Sequence, residues 1–143
     1  MTFDAQLRST LQSIHAKPTA TEARAVIDVA RLAAAADKKT DLSEAVVLLS
    51  LSRIVCEMAG LSGIPEVTAI DGARLAEIGE QLVPAGAREL AYACAYLVMV
   101  QDLEVTEEES QLARGLGEAL VIAPPRAQEL SSTMEKLVRS ARA

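Results

Sequence analysis

The most uniformly apolar part of the chain is a stretch of eleven residues in its second half. Residues 90–100 carry no charge, and their only polar side-chain atoms are two tyrosine hydroxyls and one thiol. Their apolar side chains face every direction of a helical wheel, which is typical of a buried helix. At about 1.5 Å per residue the stretch covers about 16 Å, well short of the roughly 30 Å of a bilayer core. The pattern predicts a central buried helix at about residues 86–101 and no membrane span.

Amphipathic helical patterns, separated by short polar breaks, make up the rest of the chain. Helices are predicted over residues 2–16, 20–36 and 44–59, then one broken or two short helices over 65–83, and two more after Thr106 and after Pro124. Glycine and proline mark the breaks, most clearly in the segment 60–65. The chain is therefore predicted to be all-α, a single-domain bundle of six to eight helices.

The predicted domain has three parts along the chain. Residues 1–143 divide into an N-terminal helix (1–18), a first helical pair (19–59) and the remaining helices (66–143). Thr19 with Glu22, and Thr106 with Glu109, match the capping box, in which a hydroxyl and a carboxylate bond exposed backbone N–H groups. Ser43 is predicted as the N-cap of the third helix. The helix after Thr106 is predicted to bury a stripe made of Leu112, Ala113, Leu116, Leu120 and Val121.

Charge and cysteine content narrow the classes of function. Fourteen basic and twenty acidic residues give a net charge of −6, which argues against a nucleic-acid partner. Cys56 and Cys94 lie in apolar helical runs and are interpreted as buried free thiols. The N-terminus lacks the basic and apolar segments of a signal peptide, so a cytoplasmic location is expected. The sequence contains no glycine-rich phosphate loop and no zinc-ligand spacing.

The strongest candidate for chemistry is an acidic turn between two apolar helices. Five carboxylates and no basic residue lie between Asp102 and Glu109. Hard cations such as Ca²⁺ take six to eight oxygen ligands, so Asp102, Glu104 and Glu109 are candidate metal ligands. A second interpretation is structural, because acidic side chains in a first helical turn stabilise the exposed N–H groups. A docking surface for a basic partner is the third.

A similar pattern occurs earlier in the chain. Residues 36–44 and 101–109 each contain an aspartate turn after an apolar helix, then an aliphatic residue and a Ser or Thr. Aligning Ser43 with Thr106 brings the two copies into register and adds Asp37 to the candidate metal ligands. The chain is therefore interpreted as two pseudo-repeated helix–turn–helix halves around the central helix.

The second copy, Asp102-Leu-Glu-Val-Thr-Glu-Glu-Glu109, resembles the motif of the TerB-like family of bacterial tellurite-resistance and stress-response domains. In the first copy, two extra residues separate Asp37 from Leu42, and Val46 stands where the closing glutamate is expected. Neither turn has the glycine common after the family's aspartate. The resemblance implies an all-α fold of paired halves, a divalent-cation site at the acidic turns, with Ca²⁺ as the candidate ion, and a role in a multi-protein complex without catalysis.

Two other functions remain open from the sequence. If Asp37 and Asp102 converge in a cleft, their carboxylates are suited to a small metal-dependent hydrolase. A purely structural domain that forms homo-oligomers is the other alternative. His15 is interpreted as a helix-end residue, and Tyr92 and Tyr96 as packing residues whose hydroxyls reach a polar partner. The favoured interpretation is a non-enzymatic module that binds a protein partner.

Overall fold

The described part of the chain folds into seven α-helices, as its helical periodicity predicts. The structure, a computed structural model, describes residues 2–36, 42–65, 70–101 and 106–142. The helices are α1 (Phe3–Ile14), α2 (Ala20–Ala36), α3 (Leu42–Met58), α4 (Gly72–Gln81), α5 (Ala85–Met99), α6 (Glu107–Ala119) and α7 (Pro124–Arg142). The described residues contain no strand, so the prediction of an all-α bundle of six to eight helices is confirmed.

The centre of the bundle is α5, as its continuous apolar sequence predicts. Every residue from Leu90 to Val100 is buried, and α5 packs against α1, α2, α3, α6 and α7. Its most extensive contact is with α2, whose buried residues 25–30 include alanine and β-branched side chains that allow close packing. Within the described ranges, no helix has both the length and the apolar character needed to cross a membrane.

Both predicted capping boxes form. The Thr19 hydroxyl accepts from the Glu22 N–H at 3.1 Å, and the Glu22 carboxylate accepts from the Thr19 N–H at 2.9 Å. Thr106 and Glu109 make the same reciprocal pair at the start of α6, at 3.1 and 3.2 Å. Part of the region 65–83, predicted as one broken or two short helices, lies outside the described residues, and its described helix, α4, is capped by Asp71, which accepts from a backbone N–H of the first turn. These caps join partners only one helical turn apart, so local sequence determines them.

The start of α3 corrects the predicted repeat. This helix begins at Leu42, so Ser43 is its second residue and not its N-cap, and Glu44 is its third residue. Glu109 is likewise the third residue of α6. The start of α5 follows the start of α2 by as many residues as the start of α6 follows the start of α3, so the helix starts of the two hairpins repeat with one constant offset. The alignment of Ser43 with Thr106 is therefore wrong, and the counterpart of Glu109 is Glu44 and not Val46.

Two helices end in the same hydrogen-bonded motif with different residues. Beyond α3, the N–H groups of Gly60 and Leu61 donate back to the carbonyls of residues 57 and 56, and Gly60 has φ +77°. Beyond α6, Val121 and Ile122 make the same bonds, and Val121 has φ +55°. Both ends are Schellman motifs, in which a left-handed residue satisfies the last carbonyls. Glycine suits this conformation and valine does not.

Val121 is also the clearest error in the predicted burial. Periodicity predicts its side chain on the inward stripe of the helix after Thr106, yet it is 75% exposed. The reason is that α6 ends at Ala119, so the helical periodicity no longer applies two residues later. Ala113 and Leu120 of the same stripe are buried, as predicted.

Candidate functional site

Glu109 is the only sequence-predicted metal ligand that falls among the described residues. Asp37, Asp102 and Glu104 lie outside them. The Glu109 side chain is buried, with 5% of its surface exposed, and its Oε1 accepts from the backbone N–H of Thr106. Its neighbours Glu107 and Glu108 are exposed on the first turn of α6. One carboxylate oxygen of Glu109 therefore holds the helix start.

Glu44 is a buried acidic residue that the sequence pattern did not single out. It is the third residue of α3 and is also 5% exposed. The available signal was the spacing, because Glu44 follows Asp37 by seven residues, as Glu109 follows Asp102. Both glutamates lie at a helix N-terminus, where the backbone N–H groups stabilise a negative charge. Within the described ranges, no group of three or more His, Cys, Asp or Glu residues is placed to hold a metal ion.

A groove between α2 and α3 forms a mostly apolar concave surface. It encloses about 220 Å³, and its lining includes Ile27, Leu48, Leu49, Ile64 and two arginines, Arg24 and Arg31. Leu49 is 62% exposed and Ile64 is 43% exposed, which leaves apolar surface in contact with solvent at the edge of the groove. An exposed apolar patch with a charged rim is typical of a binding surface.

A buried aspartate fixes the floor of this groove. Asp28, on α2, is 3% exposed, and its two carboxylate oxygens accept from Arg31 Nη1 at 3.1 Å and from Arg74 Nε at 2.7 Å. The bond from Arg74 to Asp28 connects α4 to α2, and within α4 Arg74 also donates to Gln81 at 2.9 Å and to Glu77 at 3.4 Å. Arg31 and Arg74 thus offset the buried charge of Asp28.

The two tyrosines of α5 are engaged in packing, as predicted. Their rings stack with centroids 6.2 Å apart. Tyr92 Oη lies 3.2 Å from Ser131 Oγ, and Tyr96 Oη donates to Glu135 at 2.7 Å. Burial and then the Glu135 hydrogen bond raise the pKa of Tyr96 above its ordinary value. The hydroxyls join α5 to α7.

Cys94, between these tyrosines, is fully buried. Burial raises the pKa of its thiol from 9.0 to about 12. A thiol with so high a pKa carries almost no thiolate near neutral pH, which makes it a poor nucleophile. Cys56 is also buried and free, and burial raises its pKa in the same direction. The prediction of two buried free thiols is confirmed.

His15 joins the first helix to two others. It caps the end of α1, and its Nε2 lies 3.1 Å from the Glu22 carboxylate, which belongs to the capping box of α2. The other ring nitrogen, Nδ1, lies 2.6 Å from the position that a Cβ on Gly86 would occupy. The histidine is thus a helix-end residue, and its ring packs against the first turn of α5.

The described residues define a helical bundle in which the helix starts of two hairpins, α2–α3 and α5–α6, repeat with a constant offset. Comparison of the chain with protein-family models, with curated proteins and with solved structures gives no match. The function of the chain is therefore inferred from its own geometry and from the motif described above.

Proposed function

We propose that this chain is a non-enzymatic, cytoplasmic module of the TerB-like type, which binds a protein partner and a divalent cation, with Ca²⁺ as the candidate, at its acidic helix starts. The proposal rests on one observation: Glu44 and Glu109 are equally buried and occupy the third position of equivalent helices. Asp37 and Asp102 precede them at the same spacing in the sequence. The repetition of the acidic turn supports a cation site in each half better than it supports two unrelated helix caps.

Electrostatics favours a cation at these positions. Removing a carboxylate from water is unfavourable unless opposite charge or hydrogen bonds offset the loss of hydration. A helix N-terminus contributes roughly 0.3–1 kcal/mol of stabilisation to a negative charge, the scale of one weak ion pair. A divalent ion shared by Asp102, Glu104 and Glu109 would stabilise the buried carboxylate more strongly, and carboxylate oxygens are the ligands that Ca²⁺ prefers.

A calcium titration followed by thermal unfolding tests the proposal. A site that binds only the folded state raises stability by RT ln(1 + [L]/Kd), about 2.7 kcal/mol at a hundredfold excess. We expect a saturable rise in Tm with calcium, and we expect Asp102→Asn with Glu104→Gln to abolish it. Glu109 is left unchanged because its substitution would also damage the cap of α6.

The matched control is Glu107→Gln with Glu108→Gln, which makes the same change in charge on exposed side chains of the same turn. These substitutions should leave the calcium-dependent rise intact. The proposal is refuted if the Tm of the unmodified protein does not respond to millimolar calcium. It is also refuted if the control pair removes the rise as completely as the Asp102 and Glu104 pair does.

A further inference from the structure

The internal repeat gives the α2–α3 groove a counterpart in the second half of the chain. The constant offset between the two hairpins pairs Ile27 of the groove with Tyr92, and Ser52 with Gly117. Tyr92 and Gly117 line a cavity of about 210 Å³ that α5 and α6 form together with α7. The groove and this cavity thus occupy equivalent positions in the two hairpins.

In the second half, α7 covers this position. Three side-chain contacts join α7 to one face of α5: Arg126 to Glu89 at 2.7 Å, Ser131 to Tyr92 at 3.2 Å and Glu135 to Tyr96 at 2.7 Å. The residue numbers rise together along both helices, so α7 runs parallel to α5. The hairpin of the second half therefore carries a third helix along its groove.

In the first half, no third helix of the described part of the chain lines the equivalent groove. Among the described residues, only α2, α3 and the Ile64–Pro65 segment contribute to its lining. Leu49 and Ile64 keep substantial apolar surface exposed there. Because the second half buries the same position under a helix, a helix is the occupant whose shape fits the first.

The charges on α2 decide which helix fits. Glu89, which receives Arg126 of α7, has Arg24 as its counterpart, and Tyr96 has Arg31. Arg24 and Arg31 are seven residues apart, so they lie two turns apart on one face of α2. Arg31 already donates to the buried Asp28, so a helix in this groove needs an acidic side chain opposite the exposed Arg24. Helix α7 of a second copy would bring Arg126 against Arg24 and is disfavoured.

We propose that the α2–α3 groove binds an acidic amphipathic helix of a partner protein, which packs parallel to α2 as α7 packs parallel to α5. Its apolar face covers Ile27, Leu48 and Leu49, and one of its carboxylates pairs with Arg24. The inference rests on the proposed function, since it names the surface and the chemistry of the partner in it. It is independent of the cation site.

The repeat itself supplies the probe. We would use a synthetic peptide with the sequence of residues 124–142 carrying Arg126→Glu and Ser131→Leu, which converts the contacts made with Glu89 and Tyr92 into contacts suited to Arg24 and Ile27. Its binding is followed by the NMR chemical shifts of the intact protein at increasing peptide concentration. We expect saturable shifts confined to the groove, and binding about tenfold weaker for the unaltered peptide sequence.

Two sets of variants test the groove. Arg24→Glu should weaken binding of the altered peptide at least tenfold, while Arg139→Glu makes the same charge change on an exposed residue of α7 and should not. Leu49→Glu should also abolish binding, and Val83→Glu is its control. Both side chains are mostly exposed, so these two variants keep the fold.

The inference is overturned if the altered peptide does not bind, if it binds outside the groove, or if the groove variants bind it unchanged. Binding of decanoate in the groove without binding of the peptide would assign the site to a small anionic amphiphile instead. Self-association that Leu49→Glu abolishes would assign it to a second copy. Each titration is repeated with calcium and with a chelator. A loss of peptide binding in the groove can then be distinguished from a failure of the proposed cation site.

Discussion

The strained end of α6 offers a direct test of how backbone conformation limits the stability of this fold. Val121 adopts φ +55° in the Schellman motif after the helix, a conformation in which its Cβ crowds the backbone. The substitution Val121→Gly removes that crowding and keeps both terminal hydrogen bonds, because they use backbone atoms. We expect the variant to be more stable than the unmodified protein.

The magnitude follows from three contributions. The left-handed conformation costs a residue with a Cβ roughly 1–2 kcal/mol, and glycine avoids most of this cost. Glycine also makes the unfolded chain more flexible, which lowers stability by about 0.4–1 kcal/mol. The Val121 side chain is 75% exposed, so its removal loses little buried apolar surface. The net gain should be about 0.5–1 kcal/mol, or roughly 2 °C in Tm for a domain of this size.

Denaturant unfolding provides the assay, with Val83→Gly as the control. Val83 is 68% exposed and lies between α4 and α5, and Val121 is the only described non-glycine residue with a positive φ. We expect Val83→Gly to lower the free energy of unfolding and Val121→Gly to raise it, with unchanged m-values. If both substitutions destabilise the protein equally, the argument from backbone strain is wrong.

Two further predictions concern buried contacts. Gly86→Ala would place a Cβ against Nδ1 of His15 and displace the ring from Glu22, so it should destabilise the protein by about 1–2 kcal/mol. In a His15→Ala background the same substitution should have no such cost, and a double-mutant cycle without coupling would contradict this explanation. The raised pKa of Cys94 keeps its proton bound in the folded state after the unfolded state has released it, so stability should fall as pH rises from about 9 towards 12. Equilibrium unfolding across that range should give a flatter pH dependence for Cys94→Ala, and an identical slope would refute the assignment.

Much of the fold follows from interactions between residues close in the chain. The central helix could be predicted because residues 90–100 contain no side chain that requires water. The capping boxes of α2 and α6 could be predicted because each joins residues only three apart. Periodicity predicted the number of helices, since each helix needs one apolar face to pack.

The sequence determined less about the candidate sites. The sequence contains the same spacing from Asp37 to Glu44 as from Asp102 to Glu109. The similar Ser and Thr positions nevertheless suggested a different alignment of the two copies. The two alignments could be distinguished only once the structure showed that α3 begins at Leu42. A helix begins where backbone N–H groups are left without a helical partner, and the Ser or Thr pattern does not mark that position.

By itself, then, the sequence determined the helices, their caps and the identity of the central helix, because these depend on local hydrogen bonds and on the hydrophobicity of single segments. Tertiary structure alone decided which apolar faces are covered. Leu48 of α3 and Ala113 of α6 occupy equivalent positions, yet Leu48 is only half-buried and Ala113 is buried. The α2–α3 groove and the position of α7 result from packing between distant segments, and no local pattern encodes which of two equivalent grooves receives a helix.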